Sequence, residues 1–146
     1  MNVAIGADHA GFFLKEQLMK IFEDSNITIL DVGTYDNSSV DYPDFAEKVC
    51  DHVVNKKADF GILICGTGLG MSISANKIHG IRAAVVTNEF CAKMARAHNN
   101  ANVIAIGSRV VGCGLAESII RTFLDTSFEG GRHQRRIDKV SSLEGV

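Results

Sequence analysis

The sequence lacks the features that would place it in a specialised class of protein. Its 146 residues contain no tryptophan and a single proline, Pro43, so there is no proline-rich linker. No apolar run approaches the roughly 18 residues needed to cross a bilayer. The 15 basic and 17 acidic side chains leave a net charge of −2, which gives no overall basic field to attract nucleic acid or a membrane surface. We therefore expect a protein that binds neither.

Cysteine and histidine are present but not in metal-binding or disulfide patterns. The cysteines are Cys50, Cys65, Cys91 and Cys113, which form neither a C-x-x-C pair nor a zinc spacing. No H-E-x-x-H or H-x-H segment occurs, so we expect no required metal and no cofactor. The first six residues lack the charged region of a signal peptide. We expect a cytoplasmic protein with free thiols.

Short apolar runs alternate with helical patterns along the whole chain. Hydrophobic residues make up 46% of the sequence, as in ordinary globular proteins. The runs are rich in valine and isoleucine and nearly continuous, which is typical of strands covered on both faces. They predict strands over residues 3–7, 27–32, 60–64, 81–86 and 103–106.

The gaps between these runs carry helical periodicity. Leu14, Leu18 and Phe22 recur at helical spacing, and Pro43 stands beside acidic residues in a pattern that starts helices. Alternating strands and helices predict a parallel sheet with right-handed crossovers. We predict one doubly wound, Rossmann-like α/β domain over residues 1–146. It would have a five-stranded parallel sheet, helices on both faces and the strand order 2-1-3-4-5.

Ligands of such sheets bind at the carboxyl ends of the strands. The strongest motif there is Cys65-Gly66-Thr67-Gly68-Leu69-Gly70, between a buried strand and a helical pattern. Alternating glycines let backbone N–H groups approach an anion, and a cysteine at such a turn should have its thiolate favoured. The alternative is a tight turn with no ligand. A dinucleotide fingerprint is excluded because Met71 stands where it needs glycine.

Two pairs of neighbouring polar residues, each containing a histidine, are further candidates for ligand binding or catalysis. Asp8 and His9 directly follow the first strand, where they can bind sugar hydroxyls or a phosphate; alternatively, Asp8 only caps the next helix. His98 and Asn99 follow the helix after the fourth strand. His98 can equally be a surface residue stabilised by the helix dipole.

Arginines supply a candidate anion clamp. Arg132, Arg135 and Arg136 follow the double glycine at residues 130–131, and Arg109 follows the fifth strand. Guanidinium matches phosphate oxygens in a bidentate fashion, although a solvated basic turn would look the same. The residues alone thus predict a small anionic, phosphorylated ligand near a thiol and one or two histidines, without naming a reaction.

The same loops resemble those of ribose-5-phosphate isomerase, type B. The resemblance runs in order from residue 3 to about residue 137, and the motifs are specific only as a set. The matching segments are GADHAG (6–11), DVGT (31–34), DYP (41–43), CGTGLG (65–70), SANK (74–77), GIRA (80–83), HN (98–99), NV (102–103), GSRVVG (107–112) and GGRH (130–133).

The resemblance implies a homodimer, or a dimer of dimers, with active sites between subunits. Because it follows the fifth strand–helix unit, the C-terminal segment of about residues 126–146 is expected to reach the partner. The resemblance also implies that Cys65 is the base moving a proton between C1 and C2, and that His98 is the acid that opens the sugar ring. One branch of the family uses a glutamate where this chain has Met71, so the chain fits the cysteine branch. The implied sugar-binding residues are Asp8, His9, Gly66, Thr67, Gly68, Leu69, Gly70 and Asn99, and the implied phosphate-binding residues are Arg109, Arg132 and Arg136.

The implied reaction interconverts ribose 5-phosphate and ribulose 5-phosphate, a step of carbohydrate metabolism in the pentose phosphate pathway. Two alternatives remain open from the sequence. One is an isomerase of a six-carbon sugar phosphate, galactose 6-phosphate or allose 6-phosphate. The other is a non-enzymatic phosphate- or nucleotide-binding module, which would need neither Cys65 nor His98.

Overall fold

A computed structural model describes residues 1–145 and contains a sheet of five strands, all parallel. Each predicted strand is confirmed to within two residues at either end. Val146, the last residue of the predicted C-terminal segment, lies outside the described residues. The strands are β1 (Asn2–Ala7), β2 (Thr28–Asp31), β3 (Phe60–Cys65), β4 (Ala83–Val85) and β5 (Val103–Gly107).

Helices cover both faces of the sheet, as the doubly wound prediction requires. The helices are α1 (Phe12–Phe22), α2 (Tyr42–Val54), α3 (Leu69–Ala75), α4 (Glu89–Ala97), α5 (Cys113–Asp125) and α6 (Arg132–Ser141). Because side chains alternate along a strand, Val3 and Ile5 pack with α1, α4 and α5, whereas Ala4 packs with α2 and α3. Of the helices within residues 1–145, none has the length and apolar character that a membrane crossing needs.

The predicted strand order 2-1-3-4-5 is wrong in its last two strands. The observed order is β2-β1-β3-β5-β4. All five residues of β5 are buried, whereas the three residues of β4 are only half-buried. The longer, fully buried β5 takes the interior position beside β3. The short β4 lies at the edge of the sheet, where less apolar surface is covered. As a result, the carboxyl end of β5 lies directly beside that of β3.

Candidate functional site

The loops after the three central strands are joined by hydrogen bonds. The Asp8 amide donates to the carbonyl of Ile64 at 3.1 Å, which links the end of β1 to β3. The Ser108 amide donates to the carbonyl of Cys65 at 2.8 Å, and the Ser108 hydroxyl donates to the carbonyl of Ala10 at 2.8 Å. At the carboxyl ends of the strands, these three loops therefore form one continuous surface.

Cys65 lies at the centre of that surface, at the end of β3. The Gly68 amide donates to its sulfur atom at 3.1 Å, and the side chain is almost fully buried. Gly68 has a φ of +81°, a left-handed conformation that favours glycine. Within residues 1–145, the amide N–H groups of Gly66, Thr67 and Gly70 have no hydrogen-bond partner. The loop therefore holds the thiol and offers three unpaired donors next to it.

Close backbone contacts fix the position of this loop. A Cβ atom on Gly107, the last residue of β5, would come within 2.7 Å of the Thr67 backbone. A Cβ atom on Gly70 would come within 2.7 Å of the Tyr42 ring. Tyr42 is the first residue of α2 and remains partly exposed. An aromatic ring therefore packs directly on the glycine loop.

Asp8 stabilises the turn that leads into α1 but does not cap the helix, because Gly11 occupies the N-cap position and no side chain caps it. Its Oδ1 atom accepts hydrogen bonds from the amides of Ala10 at 2.9 Å and Gly11 at 3.0 Å, just before α1. His9 accepts a hydrogen bond at Nδ1 from the Val40 amide at 3.2 Å. Because a backbone N–H can only donate, the neutral His9 ring carries its hydrogen on Nε2. His9 can therefore donate to an anion or a hydroxyl group.

Arg109 lies against the glycine loop because β5 neighbours β3. Its amide donates to the Gly66 carbonyl at 3.0 Å. A Cβ atom on Gly66 would lie 3.2 Å from a terminal nitrogen of the Arg109 guanidinium. In the predicted strand order, Arg109 would stand one strand farther away, about 4.8 Å. The carboxyl ends of the strands thus bring together four predicted site residues: Cys65, Asp8, His9 and Arg109.

His98 lies in a second cluster, with Glu129 and His133. The rings of His98 and His133 stack with their centroids 4.1 Å apart and a 9° angle between planes. Glu129 Oε2 lies 3.6 Å from Nε2 of His98 and 3.4 Å from Nε2 of His133. Desolvation, followed by the charges of His98 and Arg132, lowers the pKa of His133. Asn99, beside His98, is exposed.

The second cluster lies near the amino ends of the strands, whereas Cys65 lies at their carboxyl ends. Helix α4 starts at the carboxyl end of β4 and runs back for nine residues, about 14 Å at 1.5 Å per residue. His98 follows its last turn. The Asn102 side chain accepts a hydrogen bond at 2.8 Å from the amide of Arg82, the residue before β4. Residues 98–102 therefore lie where β4 and β5 begin.

Arg132 and Arg136 belong to this second cluster too. Both lie on α6, four residues apart and on the same side of the helix, and both are exposed. Neither is paired with a carboxylate within the described part of the chain. Two neighbouring guanidinium groups without an acidic partner favour binding of an anion.

Sequence reasoning missed three residues of these clusters. Tyr42 occurs in the sequence analysis only within the segment DYP (41–43), with no role of its own, although its ring contacts Gly70. Glu129 and His133 were not singled out, although both contact His98. The available signals were the segment GGRH (130–133), which contains His133, and the position of Glu129 directly before it.

The four cysteines differ in their surroundings. Cys50 is fully buried on α2, and burial raises the pKa of its thiol to about 12. Cys91 is exposed and Cys113 is half-buried. Among the four, Cys65 alone lies at the glycine loop.

Comparison with known proteins gives matches along almost the whole chain. The family model described as Ribose/Galactose Isomerase matches residues 3–140. Ribose-5-phosphate isomerase B of Escherichia coli is 44% identical over 143 residues, which cover 98% of this chain and 96% of that protein.

Solved structures agree with the sequence matches. The structure of Clostridium thermocellum ribose-5-phosphate isomerase B has a TM-score of 0.97 and 49% identity, and covers 99% of this chain and 97% of its own. That of Mycoplasma genitalium ribose-5-phosphate isomerase B, with bound ribulose-5-phosphate, has a TM-score of 0.92 and 45% identity. It covers 98% of this chain and 95% of its own.

Proposed function

The chain belongs to the ribose/galactose isomerase family, and from that premise we propose that it interconverts ribose 5-phosphate and ribulose 5-phosphate. The three relatives described above, all named for this reaction, are 44–49% identical and match nearly end to end. One of them binds ribulose-5-phosphate. The observation in this chain that carries the proposal is the Cys65 thiol, held at the glycine loop with unpaired amide donors beside it.

The reaction requires a base for a carbon-bound proton and stabilisation of an enediolate. As a thiolate, Cys65 removes the proton from one carbon, and as a thiol it returns that proton to the neighbouring carbon. The hydroxyl proton moves at the same stage from the oxygen on the first carbon to the oxygen on its neighbour. The negative oxygen that forms between these steps accepts hydrogen bonds from the amides of Gly66, Thr67 and Gly70. Such a preorganised donor is worth about 3 kcal/mol in the transition state. One carbon is oxidised as its neighbour is reduced, so the substrate undergoes no net redox change and the chemistry needs no nicotinamide. The amide donors can stabilise the enediolate without a metal.

The proposed joint action of Cys65 and His98 on one substrate takes two chains, because within one chain the two residues lie at opposite ends of the strands. We infer a homodimer in which one subunit supplies Cys65, Asp8, His9 and Arg109. Its partner supplies a second set: His98, Asn99, Arg132 and Arg136. The first set also includes the glycine loop, which consists of Gly66, Thr67, Gly68, Leu69 and Gly70.

Exposed apolar residues support this assembly. Leu69 and Ile73 lie four residues apart on α3, beside the glycine loop, and are 57% and 63% exposed. In the C-terminal segment, Val140 and Leu143 are 53% and 84% exposed. Large exposed apolar side chains near a site are typical of protein interfaces. They favour our proposal that part of the segment 126–146 contacts a partner subunit.

We also propose that the protein acts in the cytoplasm. All four cysteines are free thiols, which is typical of a reducing compartment. The substrates are phosphorylated sugars of central carbohydrate metabolism, and the proposed place of the reaction is the pentose phosphate pathway.

A comparison of substrates tests the proposed reaction. Purified protein should convert ribose 5-phosphate with a higher kcat/KM than galactose 6-phosphate or allose 6-phosphate, because relatives named for the five-carbon substrate match along the whole chain. Initial rates measured by a coupled assay at several substrate concentrations give the three values. A higher kcat/KM for a six-carbon substrate would overturn the proposed specificity. Turnover of none of them would favour the binding module.

A further inference from the structure

The last turn of α4 contains a buried arginine that the proposed mechanism does not use. Arg96 lies two residues before His98, is only 9% exposed, and has no carboxylate partner within residues 1–145. We propose that Arg96 is a positioning residue, which holds the loop 98–101 so that His98 and Asn99 keep their places relative to the substrate. This role rests on the proposed function, in which both residues act on a substrate bound by the other chain.

The guanidinium of Arg96 binds this loop directly. Its Nη1 atom donates hydrogen bonds to the side-chain oxygen of Asn100 and to the carbonyl of Ala101, both at 2.7 Å. Asn100 has a φ of +44°, an uncommon left-handed conformation that persists where the surroundings fix it. Arg82 supplies a further contact, because its Nε atom donates to the Asn100 carbonyl at 3.0 Å. Two arginines therefore hold the chain reversal that follows α4.

Burial makes a guanidinium at this position costly for stability. It lies 4.7 Å from the centre of the Phe60 ring and 5.7 Å from that of Phe123, which offsets part of the desolvation. Burial, followed by the charge of Arg82, still lowers the pKa of Arg96, and its Nε atom is buried without a hydrogen-bond partner within residues 1–145. An unbranched apolar side chain would fill the same space with no charge to desolvate. We therefore explain the buried charge by the loop that it holds.

Arg96 acts through the loop and not on the substrate, because both of its hydrogen bonds go to its own chain. The loop carries Asn99, which is exposed, and His98, whose ring stacks on that of His133 at 4.1 Å. Losing both bonds frees the loop, and a displacement of about 1 Å in a positioned group can cost about 10²-fold in rate. The glycine loop beside Cys65 lies at the other ends of the strands and should keep its structure.

Arg96→Met tests this role, because methionine keeps an unbranched side chain but donates no hydrogen bond. We expect kcat/KM for ribose 5-phosphate to fall about 10²-fold. Arg96→Lys keeps a charged donor and should recover part of this loss. Arg121→Met is the matched control, since Arg121 also covers an aromatic ring, that of Phe22 at 4.8 Å, but donates to Glu117 on its own helix. The control should keep the wild-type kcat/KM.

Mixed dimers, formed by subunit exchange between two variants, separate positioning from general support of the fold. With a Cys65→Ala partner, the Arg96→Met chain supplies an intact Cys65 to one site, so activity should rise to about half of wild type. With a His98→Asn partner, neither chain supplies an intact second set, so activity should stay at the level of the parents. A mixed dimer with Cys65→Ala that stays inactive would show a fold defect in the Arg96→Met chain and overturn the positioning role.

NMR of the histidine side chains gives a measurement that does not depend on the reaction. In Arg96→Met, the ring signals of His98 and His133 should shift, because their stack depends on the loop, whereas those of His52 on α2 should not. Shifted signals with wild-type activity would support the hold of Arg96 on the loop and count against the proposed role of His98. Unshifted signals with wild-type activity would overturn the proposal.

Asn100→Gly tests the same contact from the loop, and serves also if Arg96→Met does not fold. Glycine adopts the left-handed conformation freely but lacks the oxygen atom that Arg96 binds. This variant should lose less activity than Arg96→Met, because the bond to Ala101 remains, and should shift the same histidine signals. Wild-type kcat/KM and unshifted signals in Asn100→Gly would contradict the role of Arg96.

Discussion

Replacing Cys65 with alanine is expected to lower kcat by about 10²- to 10⁴-fold, the usual contribution of a positioned base. Alanine removes the sulfur that accepts the Gly68 N–H and leaves the glycine loop, whose backbone is fixed by contacts with Gly107. The fold should survive, because the missing atom is small. Initial rates with ribose 5-phosphate measure the loss, and circular dichroism checks the fold.

Cys50→Ala is the matched control for this prediction. Cys50 is fully buried on α2, and burial raises the pKa of its thiol to about 12, so it stays protonated at neutral pH. Its loss should leave kcat nearly unchanged. Wild-type turnover by Cys65→Ala would contradict the assignment of the base.

Alkylation gives an independent view of the same thiol. Cys91 is exposed and would react as well, so the experiment uses a Cys91→Ser background. In that background, alkylation should inactivate the enzyme, and substrate should slow the inactivation.

Replacing Arg136 with alanine is expected to raise KM for ribose 5-phosphate by about 10- to 150-fold. This range corresponds to losing one charge-assisted hydrogen bond to phosphate, about 1.5–3 kcal/mol. The phosphate does not react, so it is held similarly in the ground state and the transition state, and kcat should change less than KM. Steady-state kinetics over a wide range of substrate concentrations measures both constants.

Arg121→Ala controls for the loss of one positive charge. Arg121 lies on α5, where it is paired with Glu117 at 2.8 Å and its guanidinium covers the Phe22 ring. Its variant should keep the wild-type KM. If Arg136→Ala and Arg132→Ala both kept the wild-type KM, the proposal that these two arginines bind the phosphate would be wrong.

The strands and the two-sided sheet were predictable because local patterns determine them. Buried strands such as β3 are short, continuous apolar runs, and their ends follow from glycine and polar residues. The order of β4 and β5 was not predictable in this way. It depends on the crossover through α4 and on the burial of each whole strand, whereas the runs at 81–86 and 103–106 look alike in the sequence.

The site was only partly predictable for a related reason. Cys65 and the loop after it stand out because three glycines and a thiol are contiguous in sequence. Glu129 and His133 join His98 through a contact between α6 and α4 that no local pattern encodes. The separation of Cys65 from His98 follows from the reversal of direction in α4. It is visible only when the strands are placed in the sheet.

Mixed dimers test most directly the central claim that each active site combines two chains. Homodimers of the Cys65→Ala variant and of the His98→Asn variant, each with its own affinity tag, are mixed so that their subunits exchange. The dimer that carries both tags is then purified. One of its two sites then pairs an intact Cys65 with an intact His98 from the other chain, so it should show about half of the wild-type activity. Both parent dimers should be far less active. Activity of the mixed dimer no higher than that of the parents, or full wild-type activity in a monomer, would contradict the account.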